Sequence, residues 1–130
     1  MSESQRLGRF GERLAAAHLE SRGYRIRARN FRCRQGEIDI IAENGGCLAF
    51  VEVRTRRGRA TGSAAESLKP EKGARIREAA EAYCLEQPDA PEDRRIDVIA
   101  IDLAPDGRLL RLEHIENAFS GDELPVAPNG

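Results

Sequence analysis

The chain has no tryptophan, two tyrosines and four phenylalanines in 130 residues. So few aromatic rings weigh against a platform that binds single-stranded nucleic acid by stacking successive bases. Lysine is also scarce. Of 21 basic residues 19 are arginine, and Lys69 and Lys72 lie within four positions of each other. The three cysteines, Cys33, Cys47 and Cys84, are odd in number and lack metal-ligand spacing, so the expectation is reduced, structural thiols in a cytoplasmic protein. No apolar run approaches the roughly 18 residues of a membrane span. The opening MSESQRLGRFGER lacks the apolar stretch of a signal peptide. His18 and His114 form no nucleophile or zinc pattern, and neither a P-loop nor a dinucleotide fingerprint is present.

What the chain does have is charge, distributed unevenly. Residues 1–77 carry 17 basic against 9 acidic side chains, and residues 78–130 carry 4 against 13, for a net charge of −1. A basic first half suggests a polyanion partner. The alternative is that folding mixes the two signs. At 130 residues the length suits one domain.

Residues 36–56, GEIDIIAENGGCLAFVEVRTR, read as a β-hairpin interrupted by charge. Asn-Gly is a strong signal for a two-residue type I′ turn. With Asn44 and Gly45 central, Asp39 faces Phe50 and Glu37 faces Glu52. One face then carries Ile38, Ile40, Ala42, Ala49, Val51 and Val53. The other carries Ile41, Leu48 and Phe50 near the turn, with Glu37, Asp39, Glu52 and Arg54 beyond. Asp39 and Glu52 become diagonal neighbours, and two carboxylates that close call for a positive charge between them. A loop one residue longer would put them on opposite faces.

The remaining elements follow from periodicity. Residues 4–22 predict a helix with a Leu7, Phe10, Leu14, Ala17 stripe and Gly23 just beyond its end; Gly8 and Gly11 weaken it but permit close approach of another backbone. Residues 24–31 predict a strand with Arg25, Arg27 and Arg29 on its outer face. A basic, then small and polar loop covers 56–68. Pro70 opens a helix to about Gln87. Strands follow at 94–103 and 108–116, with Asp97 expected to pair with Arg95. The order αβββαββ makes the strands on either side of the second helix parallel. The fold class is therefore α/β, a mixed sheet flanked by helices, in a single domain over residues 1–119 with a loose tail at 120–130.

Gly8-x-x-Gly11-Glu12, then Gly36-Glu37-Ile38-Asp39, then Phe50-Val51-Glu52-Val53-Arg54-Thr55-Arg56, then Arg95-Ile96-Asp97-Val98, together resemble the YraN-like family of uncharacterised bacterial proteins. The resemblance covers about residues 6–119. That family is similar to archaeal Holliday-junction resolvases and to the wider PD-(D/E)xK, restriction-endonuclease-like superfamily. The resemblance implies a metal-dependent endonuclease that hydrolyses phosphodiester bonds in DNA, with branched or damaged structures as candidate substrates, and it allows a homodimer. It further implies that Asp39 and Glu52, with the carbonyl of Val53 and with Glu12 directly or through water, hold Mg²⁺ or Mn²⁺. Arg54 stands where the nuclease motif has lysine. It cannot readily serve as a base, but its planar fork suits phosphate. Lys72 is a candidate substitute for the missing ammonium.

Each assignment has a plainer counterpart. Asp39 and Glu52 would equally form a salt-bridged cluster with Arg54, and Lys72 would equally be a solvated helix residue. Glu37 would pair with Arg54 or a loop arginine. Arg25, Arg27, Arg29, Arg32, Arg34, Arg56, Arg57 and Arg59 would form a phosphate-binding rim, or only a solvated basic face. The rival functions are a nucleic-acid-binding module that does not cleave, and a protein-interaction domain.

Overall fold

A computed structural model describes residues 1–58 and 69–119. Helix α1 (Glu3–Ser21) is followed by β1 (Arg25–Cys33), β2 (Gly36–Asn44), β3 (Cys47–Arg57), α2 (Pro70–Glu86), β4 (Asp93–Leu103) and β5 (Leu109–Ile115). The order αβββαββ is the one expected. The strands form one sheet in the order β1-β2-β3-β4-β5. The β3/β4 pair is parallel and the other three pairs are antiparallel, so the sheet is mixed, as in restriction-endonuclease-like folds. The expected tail, residues 120–130, and Arg59 lie outside the described residues.

Alternation along β3 divides the core. Ala49 and Val51 join Ile40, Ala42, Ile99 and Ile101 beneath Ala15, Ala16 and Leu19 of α1. Leu48 and Phe50 point the other way, to Ile76, Ala79, Ala80 and Tyr83 of α2. Consecutive strand residues face opposite sides, so the two helices cover opposite faces of the sheet.

Local signals explain where α1 begins and ends. Ser2 Oγ accepts from the Gln5 N–H at 3.0 Å and the Ser2 N–H donates to Gln5 Oε1 at 2.8 Å, a capping box. At the other end Gly23 has φ 92°, and the Tyr24 and Gly23 amides donate to the carbonyls of Leu19 and Glu20, a Schellman motif.

The buried face of α1 differs from the expected stripe. Gly11, Ala15, Ala16 and Leu19 face the sheet, while Phe10 is 36% exposed and Ala17 lies outside. Small residues win because the helix sits so close. A Cβ on Gly11 would lie 1.9 Å from Thr55 Oγ1 of β3, so only glycine permits this approach.

The hairpin register is also corrected. Gly45 and Gly46, with φ of 59° and 84°, are the central turn residues, so Ile40 pairs with Val51 and Asn44 with Cys47. Gly-Gly adopts positive φ without penalty, and Asn44 is left as the last paired residue, its amide donating to the Arg22 carbonyl at the end of α1 at 3.5 Å. The two-residue shift preserves the parity of the faces nearest the turn. Ile38 departs from the expected grouping: it packs with Ile41 on the α2 side, not with Ile40.

A candidate metal and phosphate site at the fork of the sheet

The β2/β3 ladder ends at Ile40–Val51. Past that point β2 stays paired with β1 as far as Gly36, and β3 stays paired with β4 as far as Arg57. The two middle strands therefore part, opening a fork. Asp39 sits where the alternation of β2 slips. Its Oδ2 accepts the Val53 N–H at 2.8 Å, replacing the carbonyl that a continuing ladder would supply. In a strand the N–H and C=O of one residue point to the same neighbour, so the Val53 carbonyl also faces the fork.

Glu52, 5% exposed, is the charged neighbour of Asp39 in the fork. Lys72 Nζ lies 3.5 Å and Arg54 Nη1 3.7 Å from Glu52 Oε2. The structure thus brings Asp39, Glu52, Val53, Arg54 and Lys72 together. Glu12 lines the same cleft of about 410 Å³, with Ser4, Leu7, Gly8 and residues 53–56 of β3.

Electrostatics in the fork are unbalanced. Burial, then the neighbouring Glu52 charge, push the Asp39 pKa up to about 7, against the Val53 hydrogen bond. Burial also raises Glu52, although Lys72 and Arg54 oppose the rise. Asp97 is the contrasting acid. It is fully buried, and burial works against its charge. Yet hydrogen bonds from His114 at 2.8 Å, from both nitrogens of the Arg95 fork and from the Asn117 amide hold it below the usual range. The expected Arg95 pairing of Asp97 is present.

Among the described residues no three His, Cys, Asp or Glu side chains group closely enough to enclose a metal. The donor set of the fork is two carboxylates and one peptide carbonyl, all oxygen. That set fits a cation that keeps most of its waters. Glu12 is held slightly apart by Asn30, whose Nδ2 donates to Glu12 Oε1 at 3.3 Å.

Sequence reasoning missed two residues here. Asn30 adopts φ 50° inside β1, a conformation asparagine tolerates better than most residues; an asparagine interrupting a basic strand was the available signal. Thr55 Oγ1 is buried at the cleft wall without a hydrogen-bond partner among the described residues, and nothing in the sequence pointed to it.

The arginine rim divides. Arg27 is not on an outer face: its side chain is 7% exposed, packed on Tyr83, and bonded to Tyr83 Oη at 2.8 Å, Glu43 at 2.7 Å and Asp89 at 3.3 Å. An irregularity between Ile26 and Ala28 turns it towards α2. Arg25 also binds Glu43, at 2.9 Å, and Glu43 is four residues along β2 from Asp39, roughly 13 Å. Arg29, Arg32, Arg34 and Arg57 are exposed, and Arg56 lines the fork. Glu37 pairs with Arg32 at 3.6 Å, an arginine beyond the expected strand 24–31, and not with Arg54.

No helix among the described residues is long and apolar enough to cross a membrane. The sequence profile of the uncharacterised protein family UPF0102 matches residues 11–101. Similar proteins, each called a UPF0102 protein, include one from Frankia alni, 44% identical over 92% of this chain and 98% of its own. One from Symbiobacterium thermophilum is 47% identical over 89% and 98%. One from Roseiflexus castenholzii is 49% identical over 87% and 92%.

Proposed function

The chain belongs to the uncharacterised protein family UPF0102, and for this member we propose metal-dependent hydrolysis of phosphodiester bonds in DNA. One observation carries the reading: Asp39 and the buried Glu52, two acids close enough for the Glu52 charge to push the Asp39 pKa up, face each other where two strands have stopped pairing. Opened ladder and buried like charges both reduce stability, and a hard cation relieves the repulsion. Asp39, Glu52 and the Val53 carbonyl would hold Mg²⁺ or Mn²⁺ through oxygen, with Glu12 contributing through water. When bound, such a cation polarises phosphate oxygens and lowers the pKa of an attacking water.

The remaining roles belong to the chain itself. Arg54, about one-third exposed on its side chain, offers its planar fork to a phosphate oxygen. Lys72 offsets part of the burial penalty on the Glu52 charge and stands beside the fork as a second cation. Asn30 fixes Glu12 at the mouth. A second reading, nucleic-acid binding without cleavage, is favoured by one observation: both nearby cations, Arg54 and Lys72, are drawn to Glu52, and the motif place carries arginine.

The test is incubation of the protein with duplex, junction, flap and single-stranded DNA in Mg²⁺, Mn²⁺ or EDTA. Metal-dependent cleavage, lost in Asp39→Asn and largely kept in Arg54→Lys, is the expected result. Binding of Mn²⁺ and DNA without single-turnover cleavage would select the binding module. Binding of neither would leave the protein-interaction reading.

A further inference from the structure

Several arginines on this surface are matched to carboxylates, among them Arg25 with Glu43, Arg94 with Glu81 and Arg111 with Glu113. The outer face of α1 is different. Arg6, Arg9 and Arg13 are exposed, and none of them has a carboxylate partner among the described residues. Arg6 donates to the Met1 carbonyl at 2.9 Å, and Arg13 lies over the Phe10 ring at 5.9 Å. Positions i, i+3 and i+7 share one side of a helix. Three like charges so placed repel, and no carboxylate among the described residues neutralises them.

A groove of about 560 Å³ runs along this face, and Arg57 of β3 lines it with the three helix arginines. The groove adjoins the fork. Leu7 lines both, and Arg9 also borders Glu12 and Arg32 on the other flank. Arg6 to Arg13 spans seven residues, about 10 Å of helix axis. One strand of B-form DNA rises about 3.4 Å per phosphate, so the arginines match about three successive steps.

We propose that this groove takes the sugar-phosphate backbone of duplex DNA, with one strand running along α1 and on into the fork. The inference rests on the phosphodiester reading of the fork and supplies its docking surface. Duplex is favoured over single strand because Phe10 is the only large aromatic exposed among the described residues, and a guanidinium lies over its face. Arginine contacts of this kind give affinity without reading sequence.

The experiment is fluorescence anisotropy of a 20-base-pair DNA duplex at several salt concentrations in EDTA, which reads the groove without metal or turnover. Replacing Arg6, Arg9 and Arg13 together by Gln should weaken binding about tenfold or more. The slope of log affinity against log salt should fall by about 2.7, or 0.9 for each lost phosphate contact. The triple Arg→Lys variant should retain the slope, and the Gln variant should melt no lower than wild type. An unchanged slope in the Gln variant would overturn the proposal, as would loss confined to Arg32→Gln/Arg34→Gln, or no duplex binding by the wild type. Failure of the catalytic reading looks different: duplex binding and its loss in the Gln variant would persist, with no metal-dependent cleavage.

Discussion

Asp97 is fully buried and Asp39 partly buried in neighbouring parts of one sheet, and their surroundings move them in opposite directions. Asp97 accepts four hydrogen bonds from three residues, Arg95, His114 and Asn117; Asp39 receives one backbone amide and faces another carboxyl. The consequence for stability has a definite sign. The folded chain keeps the Asp39 proton up to about pH 7, whereas the unfolded chain releases it near 4. Stability from this group is therefore complete below about pH 4 and is lost as pH rises towards 7. Asp39→Asn, which keeps the acceptor for Val53, should raise stability at pH 8 by about 1–3 kcal/mol. Thermal melts should show that gain vanish near pH 4; a gain independent of pH would contradict the assignment. A cation entering the fork must displace the same proton. Calorimetric Mn²⁺ affinity should accordingly rise with pH, by at most about tenfold per unit, and level off above about 7. Asp97→Asn should instead destabilise by about 3–5 kcal/mol, because it strands Arg95, and urea titration would measure it.

Helix α1 and strand β3 meet at Gly11 and Thr55, and this contact sets how near Glu12 comes to the fork. Gly11→Ala gains about 1 kcal/mol of helix propensity but places a methyl 1.9 Å from Thr55 Oγ1. Overpacking of that kind costs about 1–3 kcal/mol, so the net effect should be destabilising. Thr55→Ala should restore part of the loss, since the next contact is 3.0 Å. Gly8→Ala, with nothing within 4 Å, should stabilise by roughly 0.5–1 kcal/mol. Denaturant midpoints of Gly11→Ala, Gly11→Ala/Thr55→Ala and Gly8→Ala would decide, and equal effects at Gly8 and Gly11 would refute the close-approach argument. This is also where sequence reading reached its limit. Element order and the parallel β3/β4 pair were legible because strand alternation, Pro70 and Gly23 are local signals. Two features were not legible. The turn offers both Asn-Gly and Gly-Gly, and only long-range pairing chooses between them. The buried face of α1 depends on how closely the sheet approaches, which favours Gly11 and Ala15 over the larger Phe10.

At the scale of the molecule, five strands stand side by side in the order in which they occur along the chain. Each of the antiparallel pairs joins neighbours across a short connection. The exception is β3/β4, eleven residue pairs long, whose strands are separated in sequence by the segment that contains α2. Ordering such a loop precedes any reward from its contacts, and contacts distant in sequence slow folding. The seam between β3 and β4, which includes the strand that holds Glu52, is therefore expected to be the slow step in folding. Stopped-flow kinetics would test it: Val51→Ala and Ile99→Ala, both fully buried at that seam, should slow folding, whereas Ile26→Ala in β1 should chiefly speed unfolding. In synthesis from the N-terminus, the three strands that carry the acids of the fork precede α2, the helix that carries Lys72.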